Sequence, residues 1–336
     1  MSMTGGSYSA SGVKKVIPDI KSRIESARVA MVDGDLEKAY GLILNTPDFF
    51  NNDLGFLFGL TLSGVERVDA HIALFDFLKM YNDDILFEFD QLQTTSNELS
   101  GVLENKENAH FIYWNAGFNN APDIVKICVN KWRETLEDRL VELSDDNLGD
   151  YVELHDFSMK WKESNMAHFS DYLRLMLLNR YGGFWIDATT YPGQYYIRHM
   201  ENVSQSVRFF SPKRKERTLA NSYLYGSRDS YIIKKMLSTL IVYMREFGRH
   251  NAYFAFHYIF GVYVLTDEKF RLEFVSAPHF DARDYQTLWR RKNAKASSGL
   301  IGRALANHPL QKLSYKFDVS DVLEGSVLDF LMREVV

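Results

Sequence analysis

Apolar positions along the chain follow two different periods. From residue 13 to about 105 they recur at helical spacing: Ile24, Ala27 and Met31, a break at Asp33-Gly34-Asp35, then Leu36, Ala39, Tyr40 and Ile43. That spacing predicts short helical hairpins. From Phe111 onward strand-like and helix-like segments alternate, the pattern of an α/β protein. Phe111-Ile112-Tyr113-Trp114 reads as a first strand, Pro122 starts a helix, and Arg139-Leu140-Val141-Glu142-Leu143 reads as a second strand. Met166 to Tyr181 reads as a helix that is apolar on nearly every face, interrupted only by Asp171 and Arg174, which share one face. Tyr181-Gly182-Gly183 stops it, because glycine just past a helix end permits the left-handed closing conformation. Phe184-Trp185-Ile186 is then short, aromatic and branched enough to form a buried strand.

These patterns divide the chain into a flexible tail (1–12), a helical region (13–108) and an α/β domain (109–336), with the charged run Leu103 to Asn108 at the boundary. The run Gly34-Asp35-Leu36-Glu37-Lys38-Ala39-Tyr40 resembles the turn of a tetratricopeptide helix pair. No second copy follows at a fixed spacing, so a repeat array is not supported.

Each strand of the α/β part delivers polar residues at its carboxyl end: Asn115 to Asn120, Ser144-Asp145-Asp146-Asn147, and Asp187. Ligands of open α/β sheets bind beyond those ends, so Asp187 is a site candidate by position alone. The residue-level alternative is a carboxylate closing a strand-end turn. Neither Gly-x-Gly-x-x-Gly nor a phosphate-loop lysine follows any strand, which argues against a standard dinucleotide or ATP site.

Charge and composition narrow the classes. A formal net charge of −5 argues against a protein organised around nucleic-acid phosphates. Cys128 is the single cysteine, so no internal disulfide forms, which suits a reducing compartment and makes the cytoplasm the default location. The first dozen residues lack the features of a secretory signal. Apolar runs such as Ala252 to Thr266, which contains His257, fall short of the roughly 20 residues a spanning helix needs. Membrane contact, if there is any, is therefore expected to be peripheral, at the inner face. Aromatic residues make up 14%, enough to suggest ring-lined surfaces beyond ordinary core filling.

Ser170-Asp171-x-x-Arg174, followed by Tyr181-Gly182-Gly183-x-Trp185-x-Asp187-x-Thr189, resembles the capsular polysaccharide synthesis proteins, which group with the DXD-containing sugar transferases of glycosyltransferase family 32. Trp114-x-x-Gly117, Tyr253-Phe254-x-x-His257 and Gln311-Lys312-Leu313-Ser314-Tyr315-Lys316 fit in the same order, so the resemblance runs from about Ile112 to Phe317 and leaves out residues 1–108. It implies a GT-A fold, meaning a Rossmann-like nucleotide-sugar-binding domain, here with a mostly helical N-terminal extension. It also implies a nucleotide-sugar donor, most readily a UDP-sugar, a divalent cation (Mn²⁺ or Mg²⁺), and retention of the anomeric configuration. The chemistry of the residues agrees with a cation, since a hard metal held by one or two carboxylates and phosphate oxygens neutralises a departing diphosphate.

By the same resemblance Asp187 is the metal ligand, with Thr189 standing where the wider pattern has a second aspartate. Asp171 and Arg174 grip the donor sugar, Trp114 lies beside the base, Trp185 stacks against the donor, and His257 lies near the acceptor or metal. Lys312, with His308 and Lys316, forms a polar patch that closes over the diphosphate. Read from the residues alone, Asp171 and Arg174 are equally an ion pair within a buried helix. Trp114, Trp185 and His257 are equally core residues, and His168 reads as a packed histidine. The basic run Ser211 to Arg217 reads first as a solvated loop, with approach to a diphosphate or an anionic acceptor as the alternative.

The expected activity is sugar transfer to a growing polysaccharide or lipid-linked glycan acceptor. Two competitors are a toxin-like effector that glycosylates protein side chains and a catalytically silent nucleotide-sugar-binding scaffold.

Overall fold

The sheet is built from strands too short to stand alone; four of its five are buried on both faces and covered by helices above and below, while the edge strand Leu140–Leu143 is buried on alternate residues only. The computed structural model describes residues 26, 29, 38, 77–95, 108–214, 218–247, 255–278 and 280–333. In chain order the first half runs α1 (Asn82–Thr95), β1 (His110–Tyr113), α2 (Asp123–Leu136), β2 (Leu140–Leu143), α3 (Asp156–Ser164), α4 (Met166–Tyr181), β3 (Gly183–Ile186) and β4 (Thr190–Pro192). There follow α5 (Tyr196–Ser206), β5 (Phe209–Phe210), β6 (Lys213–Arg214), β7 (Thr218–Leu219), β8 (Tyr223–Gly226), α6 (Tyr231–Phe247), α7 (Ala255–Thr266) and α8 (Glu268–Ser276). The last elements are α9 (Thr287–Arg290), α10 (Ser298–Asn307), β9 (Leu310–Lys312) and α11 (Val327–Arg333).

Strand order in the main sheet is β2-β1-β3-β8-β5. β1 runs parallel to β2 and β3, while β8 is antiparallel to β3 and β5. The chain leaves β1 on one side to make β2 and then returns across it to make β3, so the order reverses between β1 and β3. Crevices in open α/β sheets form at such a reversal. Because β8 runs the other way, its amino end meets the carboxyl ends of β1 and β3 at the same edge. The fold is therefore α/β with a mixed sheet, as the alternation of elements predicts.

Side-chain alternation sorts the core into two layers. Phe111, Tyr113, Trp185 and Leu224 face the layer containing α4, α6 and α7. Ile112, Phe184, Ile186, Tyr223 and Tyr225 face the layer containing α2, α5 and α11. His110 begins β1 inside the core, one residue before the expected start. Its ring stacks on Phe184 at 4.5 Å between centroids and bonds the Tyr196 hydroxyl at 2.7 Å, which satisfies it there. Trp114 correspondingly lies one residue past β1, not within it.

The helix-turn-strand unit has the expected bounds for α4, and β3 starts one residue earlier, at Gly183. Asn165 caps the helix by accepting from the Ala167 amide at 2.9 Å. Gly182 (φ +67°) and Gly183 (φ +97°) turn the chain directly into the strand. A Cβ at Gly183 would lie 2.3 Å from the Ala109 carbonyl oxygen, so both backbone conformation and space require glycine.

Helix α1 precedes residue 108 yet packs into the first core layer through Ile85, with Phe77 edge-on to Tyr243 at 5.0 Å. Arg245 on α6 also bonds Glu88 on α1 at 2.7 Å. The polar start at 1–12, the break at Asp33-Gly34-Asp35 and most of the boundary run 103–108 lie outside the described residues, as do Lys215 to Arg217 and Tyr253-Phe254. Among the described residues no helix is long and apolar enough to cross a membrane.

Candidate functional site

A cavity of about 600 Å³ opens at the reversal point between β1 and β3. Trp114 and Asn115 come from the end of β1, Asp187 to Thr189 from the end of β3, and Asn221 and Ser222 from the start of β8. Ser170, Asp171 and Arg174 come from α4, His257 from α7, and Lys312, Tyr315 and Lys316 from β9 and the segment after it.

Arg174 is the most heavily tethered of these side chains. Its Nη1 donates to the Asn221 carbonyl at 2.7 Å and lies 3.0 Å from Asp171 Oδ1. Nε and Nη2 donate to the Ser170 carbonyl and hydroxyl at 3.1 and 3.0 Å. The guanidinium lies 5.1 Å from the centre of the Trp185 ring, and Nη2 reaches to 3.7 Å from Asp187 Oδ1. Residues three and four apart on a helix are neighbours, so Ser170, Asp171 and Arg174 assemble locally. Asp171 also accepts from the Asn221 amide at 2.7 Å.

Asp187 leaves β3 on the same side as Trp185, as strand alternation requires, and Trp185 Nε1 donates to its Oδ1 at 2.9 Å. A tight turn follows, in which the Thr190 amide and hydroxyl both donate to the Asp187 carbonyl, at 2.9 and 2.7 Å. Thr190 then enters β4, which pairs antiparallel with β9 so that Thr190 faces Lys312. The Leu313 amide donates to the Thr189 carbonyl at 2.7 Å. This ribbon aims Lys312 at the turn. Its Nζ donates to Asp187 Oδ2 at 2.8 Å and to the Thr189 hydroxyl at 2.6 Å.

The two carboxylates differ in electrostatics. Burial opposes the charge on Asp187, but Lys312, Arg174 and the bonds from Lys312 and Trp185 outweigh it and hold the group below the usual carboxylate range. For Asp171 burial dominates, and with the nearby Asp187 charge it pushes the group up to about 6 against the pull of Arg174 and Asn221. The cavity thus presents one carboxylate held below the usual range and one pushed up to about 6, environments that push the titration of the two carboxyl groups apart.

The donor set at Asp187 and Thr189 does not fit the divalent cation expected there. The Lys312 ammonium lies between the two atoms that would bind it, and Arg174 adds a second positive charge beside the carboxylate. Among the described residues no group of three His, Cys, Asp or Glu side chains is placed to hold a metal.

The family model for capsular polysaccharide synthesis proteins matches residues 68–331, most of the chain. The chain belongs to the capsular polysaccharide synthesis protein family. No curated protein and no solved structure gives a significant match. The family match begins at residue 68, well before Ile112, and so takes in α1. The packing of α1 on α6 is the physical counterpart of that wider extent.

Trp114, Asp171, Arg174, Trp185, Asp187, Thr189, His257 and Lys312 line this one cavity together with Lys316, whereas His308, expected in the same patch, is not among the lining residues. The ion pair between Asp171 and Arg174 and the cavity-facing position occur together. Trp185 is both core and wall, since it is 2% exposed yet touches Asp187 and Arg174. His168 is buried with its ring 5.8 Å from Trp161, as a packed histidine would be. The run from Ser211 is not a solvated loop at its start. Ser211 and Lys213 are buried, and the Lys213 ammonium sits 5.0 Å from the Phe274 ring centre, because β6 pairs back on β7. Gln286 also lines the cavity and carried no sequence signal, as its place depends on packing against β9.

Proposed function

We propose that this member of the family is a sugar transferase of GT-A type that takes a nucleoside diphosphate sugar, most readily a UDP-sugar, and adds the sugar to a polysaccharide or lipid-linked glycan during capsule or other surface-polysaccharide synthesis in the cytoplasm. The observation that carries this reading is the make-up of the single cavity at the sheet's reversal point. It combines a tryptophan at its mouth with a tethered carboxylate–guanidinium pair and an excess of cationic groups. Three cationic side chains, Arg174, Lys312 and Lys316, stand against two carboxylates, Asp171 and Asp187. A net positive lining suits a diphosphate.

In this reading the base packs against Trp114, whose ring already meets Tyr315 edge-on at 5.3 Å. Asp171 and Arg174 bind neighbouring sugar hydroxyls, one accepting and the other donating. Their tethering to Ser170 and Asn221 would hold the sugar in one orientation, and orientation is a large part of what such groups contribute to rate. Charge develops on the departing diphosphate as the glycosidic bond breaks, and fixed cations stabilise it. We further propose a retaining outcome and kinship with glycosyltransferase family 32, on the order of the motifs.

The test is a calorimetric and donor-consumption screen of nucleoside diphosphate sugars against the full chain. Binding of one donor followed by slow hydrolysis, or transfer to a glycan acceptor, is expected. Binding without consumption would instead support a silent nucleotide-sugar-binding scaffold, a reading to which the fully engaged Asp187 lends some weight. Transfer to a protein acceptor would point to the effector reading. No binding of any nucleotide sugar would overturn all three.

A further inference from the structure

We propose that Lys312 is the resident cation of this site, neutralising the donor diphosphate in place of a divalent metal; this rests on the nucleotide-sugar reading above. The family resemblance points to a metal at Asp187 and Thr189, and the geometry puts an ammonium there instead. Lys312 Nζ bridges Asp187 Oδ2 at 2.8 Å and the Thr189 hydroxyl at 2.6 Å. A cation bridging the same two oxygens would have to occupy the same space.

Three further observations bear on the assignment. First, Lys312 is held by its backbone as well as its side chain. It pairs with Thr190 in the β4–β9 ribbon, and its neighbour Gln311 is fully buried, accepting from the Leu288 amide at 3.0 Å and donating to surrounding carbonyls. A charge fixed in advance costs little reorganisation when a ligand's charge arrives. Second, an ammonium has three donors, and two are spent on Asp187 and Thr189, which leaves one for a phosphate oxygen. Third, the side chains of Lys312 and Asp187 remain 23% and 27% exposed, so a ligand entering the cavity can reach the pair. Thr189 then has a reason to stand where the wider family pattern has a second aspartate. A hydroxyl accepts from the ammonium without adding the negative charge a metal would need and a diphosphate would oppose.

Calorimetric titration of UDP and GDP into the full chain, once in EDTA and once in Mn²⁺, tests this, with uridine and guanosine as phosphate-free controls. One diphosphate is expected to bind with affinities agreeing within about twofold in the two buffers. Lys312→Met should weaken it by roughly tenfold or more, the scale of losing one charge-assisted contact, while Lys312→Arg recovers part of the loss. Nucleoside binding should not change in either variant. If circular dichroism shows that Lys312→Met is misfolded, Lys312→Gln serves in its place. Either a Mn²⁺ requirement for diphosphate binding or unchanged affinity in the lysine variant overturns the assignment and leaves the nucleotide-sugar reading standing. Failure of both diphosphates to bind in both buffers overturns the two together.

Discussion

The wall of the cavity made by α4 and β3 and the wall made by β9 hold their charges in different ways. On the helix wall Arg174 is bonded to Ser170, Asn221 and Asp171 and lies against Trp185, and both members of its ion pair are almost wholly buried. On the β9 wall the Lys312 side chain has only Asp187 and Thr189, and water reaches the pair. Buried, multiply bonded charges keep their geometry because leaving any partner unpaired is costly. A partly exposed pair with fewer bonds on its cation exchanges partners at lower cost. The first wall is therefore suited to fixing the orientation of a neutral sugar, and the second to responding to an incoming anion.

Asp187 joins the two walls, so Asp187→Ala should have the largest effect. Donor turnover should fall by about a hundredfold or more, the scale of losing a preorganised charge at a reacting centre, with the circular dichroism spectrum unchanged. Retained turnover would mean that the walls do not act through this carboxylate. Next comes Trp114→Ala, which removes the proposed base platform and belongs to neither wall. Nucleotide affinity should drop roughly tenfold, the lower part of the range for base stacking on an aromatic ring, and titration of the free nucleoside should show the same loss. If the nucleoside is unaffected, Trp114 does not meet the base.

Gln311→Ala probes the β9 wall by its footing. Removing the buried amide leaves the Leu288 amide without its acceptor, and stability should fall by about 1–3 kcal/mol in chemical denaturation. Hydrogen exchange should rise over 310–316 and not over α4. Equal loosening of α4 would show that the two walls are one unit.

The smallest effect concerns pH and the helix wall. Asp171, raised to about 6, holds its proton more tightly in the folded chain than in the unfolded one. Its contribution to stability is therefore complete below the ordinary carboxylate value and is lost as pH rises through about 6. Asp187, held below the usual range, does the reverse, and its contribution disappears only as pH falls through that lowered value. Donor affinity should weaken a few-fold as pH falls through about 6, and Asp171→Asn should flatten that profile. A profile unchanged in the variant would assign the titration elsewhere.

The helix wall was legible in the sequence because its parts are close neighbours. Period, spacing and two glycines place Asp171, Arg174, Trp185 and Asp187 before any tertiary contact is known. Lys312 carried a family resemblance, but its partners did not follow from it, since strands as short as β4 and β9 leave no alternation to read. Asn221 and Ser222 stand out in the sequence as the start of an ordered segment, but the bond from Arg174 to the Asn221 carbonyl depends on β8 pairing with β3, which no local spacing shows. The charge partner of Asp187 is hidden at the same point: local spacing shows the carboxylate and the hydroxyl but not the ammonium that reaches them from far along the chain.

That separation also gives the site an order of assembly. Asp187 and Lys312 are 125 residues apart, so during synthesis the acidic turn is made long before its counter-charge. A chain released before Leu310 would retain every strand of the main sheet and the whole α4–β3 unit, yet would lack β9 and the ammonium that meets Asp187. Shortening the chain from its C-terminus thus removes the charge balance of the site together with the β9 and α11 side chains that complete the second core layer.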